Sequence, residues 1–241
     1  MNISNNKILI TGATSGIGKA LALKLHKLNN QIIAVGRNLN DLKKLEESNK
    51  RIIGYPCDLS DKQQVNQLIG FIKKEHQEVN ILINNAGIQY NYDFLNTENL
   101  SSKVEDELMV NLFAPLYLTS KMIPVLIRNT NPTLVNVTSA LGIVPKPDAP
   151  IYCATKAALH LFSRSLRSQQ DKIRVVELIP PLVETAMTKG RGKNKITADE
   201  LVDEFIKSFS NNREEINIGK VKLLRFINRL SPALAEKIVK G

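Results

Sequence analysis

The sequence has few of the residues that form disulfides and metal sites. It has two cysteines in 241 residues, Cys57 and Cys153, and neither stands in a CxxC motif or a Cys/His cluster. The three histidines, His26, His76 and His160, have no partners at metal-ligand spacing, so we expect no metal site. Free thiols are typical of a reducing compartment, and we expect a cytoplasmic protein.

Aromatic residues are also scarce, at 5% with no Trp, whereas hydrophobic residues make up 43% of the chain. A core of aliphatic side chains is typical of α/β proteins. No apolar run reaches 18 residues and the N-terminus is polar, so we expect neither a membrane-spanning segment nor a secretory signal.

Acidic residues are outnumbered by basic ones, which gives a formal net charge of +10. Such a charge indicates anionic partners, unless it reflects only the composition of the proteome. Those partners are a phosphorylated cofactor, an acidic membrane surface or nucleic acid. No lysine-rich run with interleaved aromatics is present, so we do not expect nucleic-acid binding.

Apolar strand patterns alternate with amphipathic helical patterns along the chain. Strands are predicted over residues 7–11, 31–35, 52–57, 79–83, 133–137, 173–179 and 215–218. The first predicted helix runs from the first glycine-rich turn to about residue 28, and further helices are predicted over 40–47, 62–75, 152–169 and 198–209. Residues 99–128 are predicted to form two helices that meet near Pro115. Residues 220–240 are predicted to form a helix that is broken at Pro232. This alternation predicts an α/β fold, a Rossmann-type doubly wound parallel sheet with helices on both faces.

A glycine-rich turn joins the first strand to the first helix. It reads Thr11-Gly12-Ala13-Thr14-Ser15-Gly16-Ile17-Gly18. Glycines let the backbone turn sharply and approach a ligand, and the unpaired amides of a helix N-terminus favour a phosphate. The turn therefore predicts a pyrophosphate site, to which the Ser15 hydroxyl can donate a hydrogen bond.

A possible proton donor stands on the helix predicted after the fifth strand. Tyr152 and Lys156 are four residues apart, so both face one side of that helix. An ammonium nearby favours the phenolate, so we expect Lys156 to lower the pKa of Tyr152. Ser139 follows the strand over 133–137, at the edge where an open α/β sheet places its ligands. A serine that merely caps its own loop is the alternative.

The TGxxxGxG turn together with Ser139 and the Tyr-x-x-x-Lys pair resembles the short-chain dehydrogenase/reductase family, over about residues 7–185. The resemblance implies one NAD(P)-binding domain over residues 1–241, with a less regular substrate loop and tail over 182–241. It implies a catalytic tetrad of Asn111, Ser139, Tyr152 and Lys156, in which Asn111 holds a water that returns protons to Lys156. It implies cofactor binding by Gly12, Ser15, Gly16, Ile17, Gly18, Asp58, Leu59, Asn85, Ala86, Gly87, Tyr152, Lys156, Val183 and Thr185.

The residue after the second predicted strand indicates which dinucleotide binds. A carboxylate there favours NAD by bonding the ribose 2′-hydroxyl, but the chain reads Val35-Gly36-Arg37-Asn38. The guanidinium of Arg37 can pair with a 2′-phosphate, so NADP(H) is expected in preference to NAD(H). An exposed turn arginine without this role is the alternative.

One segment departs from the family pattern. Pro181 replaces the usual glycine in the run Pro180-Pro181-Leu182-Val183-Glu184-Thr185, and this variant together with the tail resembles the DltE-like oxidoreductase branch. Substrate contacts are expected from residues 88–94, 141–150 and 185–195. In the last of these, Lys189, Arg191 and Lys193 can meet an acidic group.

These features predict an NADP-dependent oxidoreductase that reversibly reduces a carbonyl compound to an alcohol, with Tyr152 as acid and base. We expect a homodimer or homotetramer. Two alternatives are a non-catalytic NADP-binding regulator and a membrane-surface enzyme that reduces lipid carbonyls, with residues 220–240 as an interfacial helix.

Overall fold

The computed structural model describes residues 3–192 and 194–240, and Lys193, one of the predicted substrate contacts, lies outside them. The strands are β1 Lys7–Thr11, β2 Gln31–Gly36, β3 Ile52–Pro56, β4 Ile81–Asn84, β5 Thr133–Val137, β6 Arg174–Ile179 and β7 Glu215–Asn217. The α-helices are α1 Gly16–Lys27, α2 Leu39–Ser48, α3 Lys62–Glu75, α4 Leu100–Leu108, α5 Ala114–Leu126, α6 Pro150–Gln169, α7 Ala198–Ser210, α8 Val221–Leu230 and α9 Pro232–Lys240.

All seven strands pair in parallel in the order β3-β2-β1-β4-β5-β6-β7. The chain reverses its direction across the sheet between β1 and β4, which is where open α/β sheets bind ligands beyond the carboxyl ends of the strands. The predicted doubly wound parallel sheet is confirmed.

Helices cover both faces of the sheet because alternate strand residues point to opposite sides. Ile8 and Ile10 of β1 lie in one apolar cluster, with side chains of α1, α2 and α7, such as Leu21 and Phe205. Leu9 lies in the other cluster, with side chains of α3, α5 and α6. The sheet is therefore the middle layer of three.

The predicted pair of helices over 99–128 is one continuous helical stretch, with a π-helical turn at Met109–Phe113 between α4 and α5. Pro115 has no N–H, so the carbonyl of Asn111 cannot receive the usual helical bond from it. The N–H of Ala114 reaches back five residues to the carbonyl of Met109 instead. The missing donor thus explains where the π turn forms.

The same stretch, Leu100–Leu126, has 27 residues and an 18-residue window of mean hydropathy 1.3, enough by length and composition to cross a membrane. The sequence reading had found no such segment. Leu118, Met122 and Leu126 are buried in the core against the sheet, which is how a core helix of a globular domain behaves.

Four elements follow the loop after β6, within residues 194–240. They are helix α7, the edge strand β7 and helices α8 and α9, and α8 ends just before Pro232 as predicted. A parallel bridge between Val183 and Ile196 also closes the loop that precedes α7.

Candidate active site

The glycine-rich turn brings three backbone segments into contact. Gly12 and Gly16 have φ angles of +65° and +50°, which favour glycine. A Cβ on Gly18 would stand 2.1 Å from the carbonyl oxygen of Gly12, and one on Gly12 would stand 2.9 Å from the Cα of Ala86. The glycines therefore let α1 begin directly against β1 and the segment after β4.

The start of α1 has free hydrogen-bonding capacity. Ser15 is its N-cap, but its exposed side chain makes no capping hydrogen bond. The first amides of the helix, at Gly16, Ile17 and Gly18, precede the first intrahelical bond, which the N–H of Lys19 donates to the carbonyl of Ser15. These free amides can bind a phosphate, and the absence of a Cβ at the glycines leaves room for it to approach the backbone. We call this part of the turn the glycine cradle, and it fits a pyrophosphate.

The segment after β4 is fixed by Thr11, the last residue of β1. The N–H groups of Asn85 and Ala86 donate to the Thr11 hydroxyl at 3.0 and 3.1 Å. The Asn85 amide also donates to the carbonyl of Thr11 at 2.9 Å. The sequence pattern places Thr11 at the start of the TGxxxGxG turn but does not indicate this role, because the segment that Thr11 holds lies more than 70 residues away.

Arg37 and Asp58 face each other beyond the ends of β2 and β3. The Arg37 side chain is 71% exposed, and its Nη1 is 4.0 Å from Oδ2 of Asp58. The other Asp58 oxygen accepts from the N–H and hydroxyl of Ser60 at 2.9 and 2.8 Å, and the side chain of Leu59 is buried in the core. Asp58 is therefore held in place, while the guanidinium remains free to reorient.

The loop after β6 covers the glycine turn. Val183 is buried, and the N–H of Thr185 donates to the Thr188 hydroxyl at 3.1 Å. A Cβ on Gly16 would stand 3.0 Å from Cγ2 of Thr185. The structure thus places Val183 and Thr185 beside the proposed pyrophosphate site, even though Pro181 replaces the usual glycine.

Tyr152, Lys156 and Ser139 meet at the carboxyl end of β5. The Ser139 side chain lowers the pKa of the nearby Tyr152 phenol, and the Lys156 ammonium donates to the carbonyl of Val137 at 2.9 Å. Lys156 Nζ lies 5.8 Å from the centroid of the Tyr152 ring. All three residues are buried or nearly so, with Tyr152 8% and Lys156 3% exposed. The Ser139 hydroxyl also caps its own loop by accepting from the N–H of Leu141 at 3.1 Å.

Burial sets the protonation of this pair. It raises the pKa of Tyr152 to about 12, against a smaller lowering by the Ser139 side chain. It also lowers the pKa of Lys156 to about 8. Burial therefore gives Tyr152 a net upward shift of its pKa, and the lowering that we expect from the Lys156 ammonium stays a prediction. Tyr152 remains protonated at neutral pH and Lys156 remains mostly charged.

Asn111 lies on the π turn, completely buried. Its amide spans the backbone of Ile88, since Oδ1 accepts from the Ile88 N–H and Nδ2 donates to the Ile88 carbonyl, both at 2.8 Å. A Cβ on Gly87 would stand 3.3 Å from Asn111 Oδ1 and 3.5 Å from Lys156 Nζ. The structure therefore brings Asn111 and Lys156 together at Gly87 and shows Asn111 positioning the segment after β4.

Gly142, a residue that sequence reasoning missed, sets how closely the Ser139 loop approaches α6. A Cβ on Gly142 would stand 2.8 Å from the carbonyl carbon of Lys156 and 2.9 Å from the nitrogen of Ala157. The close packing of these two backbones holds Ser139 beside Tyr152. Gly142 lies in a 3₁₀ turn without a positive φ, so nothing in the local pattern singles it out.

A buried acid and an arginine border the same site. Glu107 accepts from the Tyr92 hydroxyl at 2.8 Å and from the N–H of Tyr90 at 3.0 Å, and burial raises its pKa. Arg191 donates through Nη2 to the Gln89 carbonyl at 3.4 Å, while its buried Nη1 has no hydrogen-bond partner among residues 3–192 and 194–240. The charge of Arg191 lowers the pKa of both Glu107 and Tyr152.

Comparisons with known proteins agree with this architecture. The family model described as short chain dehydrogenase matches residues 6–196. The uncharacterized oxidoreductase DltE of Bacillus subtilis (strain 168) is 37% identical over 238 residues, which are 95% of this chain and 94% of that protein.

Solved structures show the same fold. A short chain dehydrogenase from Burkholderia cenocepacia J2315, in complex with NADP, matches with a TM-score of 0.87 over 100% of both chains at 22% identity. A short chain dehydrogenase/reductase from Burkholderia phymatum, in complex with NAD, has a TM-score of 0.82 over 95% of this chain and 96% of that chain at 19% identity. Because the family model matches most of its length and the DltE sequence aligns almost throughout, the chain belongs to the short-chain dehydrogenase/reductase family of oxidoreductases.

Proposed function

We propose that this chain is an NADP-dependent oxidoreductase that reduces a carbonyl group to an alcohol and catalyses the reverse reaction. The observation that carries the proposal is the meeting of Ser139, Tyr152 and Lys156 at the edge of the sheet where the glycine turn offers free amides. A bound reduced nicotinamide supplies the hydride, and the chain supplies position and a proton.

The two hydroxyl groups hold the substrate oxygen. The Ser139 and Tyr152 hydroxyls lie close enough for Ser139 to shift the pKa of the phenol, so a carbonyl oxygen that enters between them can accept from both. Tyr152 has a raised pKa and is protonated at neutral pH, which makes it the proton donor in reduction. The phenolate that results is stabilised by the Lys156 ammonium, whose pKa of about 8 lets it give up a proton.

Dinucleotide binding is assigned to the cradle around α1. Gly12, Ser15, Gly16, Ile17 and Gly18 hold the pyrophosphate. Asp58, Leu59, Asn85, Ala86 and Gly87 would hold the adenine and its ribose. Lys156 and Tyr152 would bond the nicotinamide ribose, and Val183 and Thr185 would hold the carboxamide. These residues lie at the start of α1, on the loops that follow β3, β4 and β6, and on the first turns of α6.

The preference for NADP rests on Arg37. Its guanidinium is exposed and no carboxylate ends β2, so the end of this strand offers a cation to a 2′-phosphate instead of the carboxylate that binds a 2′-hydroxyl. Related structures bind NADP in one case and NAD in another, so family membership alone does not decide the dinucleotide.

Replacing the phenol tests the chemistry. Tyr152→Phe removes only the hydroxyl, so we expect turnover on a panel of aldehydes and ketones to fall by about 10²- to 10⁴-fold while NADPH affinity is kept. Tyr117→Phe is the matched control, because the Tyr117 hydroxyl bonds Asn66 away from the site. Near-native turnover of Tyr152→Phe refutes the assignment. NADPH binding by the native chain without turnover on any carbonyl or alcohol favours the non-catalytic regulator.

A further inference from the structure

Helix α8 presents an apolar face to solvent. Leu223, Phe226 and Leu230 are 57%, 60% and 70% exposed. They are spaced three and four residues apart, so they share one side of the helix. The other side packs on the domain, where Val221 is buried against Ile179. The helix is therefore attached to the fold by one face and leaves its most apolar face uncovered.

Helix α9 extends this surface. Leu234 and Ile238, one turn apart, are 49% and 51% exposed, whereas Ala235 is buried. Helices α8 and α9 pack on each other across Ser231, whose N–H bonds the carbonyl of Ile227. We call the five exposed apolar side chains of the two helices, Leu223, Phe226, Leu230, Leu234 and Ile238, the tail patch.

Positive charge borders the tail patch. Residues 220–240 contain six Lys or Arg and one Glu, a net +5, which is half the charge of the whole chain. Lys222 lies one turn before Phe226, and Arg229 lies three residues after it, so both cations flank the apolar face. Within residues 3–192 and 194–240, neither cation has an ion-pair partner, whereas Arg225 on the protein side pairs with Glu215.

We propose that the tail patch docks the protein on an anionic lipid surface. Apolar side chains beside unpaired cations are the pattern of a helix that lies in the plane of a bilayer interface. Helix α8 has 10 residues, about 15 Å, which is too short to span the hydrocarbon layer. A second copy of this chain is the weaker candidate, because a twofold contact would bring two +5 surfaces together.

Docking would turn one of the predicted substrate segments toward the lipid. A groove of about 530 Å³ lies between residues 141–150 and α9, and Ile143, Lys146, Glu236 and Lys240 are among its lining residues. Leu224 of α8 and Ile143 both pack against the buried cluster of Ala140, Ile179 and Val221. The docking surface is thus continuous with the loop that follows Ser139, and its test does not depend on the proposed reaction.

Vesicle co-sedimentation of the full chain tests the proposal. We expect binding to vesicles of phosphatidylcholine mixed with phosphatidylglycerol, little binding to phosphatidylcholine alone, and weaker binding as salt is raised. Lys222→Gln combined with Arg229→Gln should weaken binding by about 30-fold, from roughly fivefold for each cation near an anionic surface. Leu223→Gln combined with Phe226→Gln, which keeps the charge, should also weaken binding at least tenfold.

The matched control is Leu161→Gln, because Leu161 is 62% exposed on α6, outside the tail patch. It should bind vesicles as the native chain does. Equal binding of the native chain to neutral and anionic vesicles, or no binding to either, overturns the proposal without recourse to any variant. A native dimer that Leu223→Gln with Phe226→Gln converts to monomer, with no vesicle binding, overturns it in favour of a second copy of the chain.

Discussion

Gly18→Ala and Gly70→Ala make the same chemical change with opposite expected results. A Cβ on Gly18 would stand 2.1 Å from the Gly12 carbonyl oxygen and 2.4 Å from Nδ2 of Asn85. Gly18 has no positive φ, so the new methyl meets a contact problem and no backbone strain. Gly70 lies on the exposed side of α3, and a Cβ there would meet nothing within 4 Å.

The size of the effect follows from these distances. Ordinary contact begins at 3.4 Å, so α1 or the Gly12 carbonyl must move by more than 1 Å. Overpacking of this kind costs about 1–3 kcal/mol of unfolding free energy, equivalent to a fall in Tm of about 2–12 °C for a chain of this size. Gly70→Ala should instead add about 0.5–1 kcal/mol, because alanine favours a helix.

Of the two variants, only Gly18→Ala should weaken the binding of the dinucleotide. Displacing the first turn of α1 misaligns the free amides, and loss of one charge-assisted hydrogen bond costs about 1.5–3 kcal/mol, or roughly 10- to 150-fold in Kd. Thermal melting and fluorescence titration with NADPH measure the two quantities on both variants. If Gly18→Ala melts no lower than Gly70→Ala and binds NADPH as tightly, the glycine cradle at the start of α1 is not the dinucleotide site.

Two other predictions concern charge. Arg37→Ala should weaken NADPH binding by about 10- to 150-fold and leave NADH binding unchanged. The control is Arg51→Ala, at an exposed arginine just before β3, which should change the binding of neither dinucleotide. Equal losses of NADPH and NADH binding in Arg37→Ala would contradict the role of Arg37. The Lys156 pKa of about 8 lies below its ordinary 10.5, so between these values only the unfolded chain binds the proton and stability rises with pH. Urea titrations measure the unfolding free energy of the native chain and of Lys156→Met. The native chain should gain about 2 kcal/mol relative to this variant between pH 7.5 and 9.5. If the difference between the two unfolding free energies does not change with pH, the buried ammonium is not destabilised.

Local pattern was enough for most of the elements. Strand β1 and helix α3 have the bounds that periodicity predicted, because a buried parallel strand is continuously apolar and an amphipathic helix shows its period directly. The boundary between α4 and α5 was not predictable in the same way. Pro115 signalled a break, but the packed helix absorbs the missing N–H in a π turn and continues.

The sequence by itself determined the fold class, the glycine turn and the spacing of Tyr152 and Lys156, since these depend on periodicity and on residues near in sequence. The tertiary structure decided what burial does to them. It raised the pKa of Tyr152 through burial, because the loss of water around a side chain depends on every element packed over it. It also brought Gly142 against α6 and turned the apolar face of α8 outward, two outcomes that depend on contacts between distant segments.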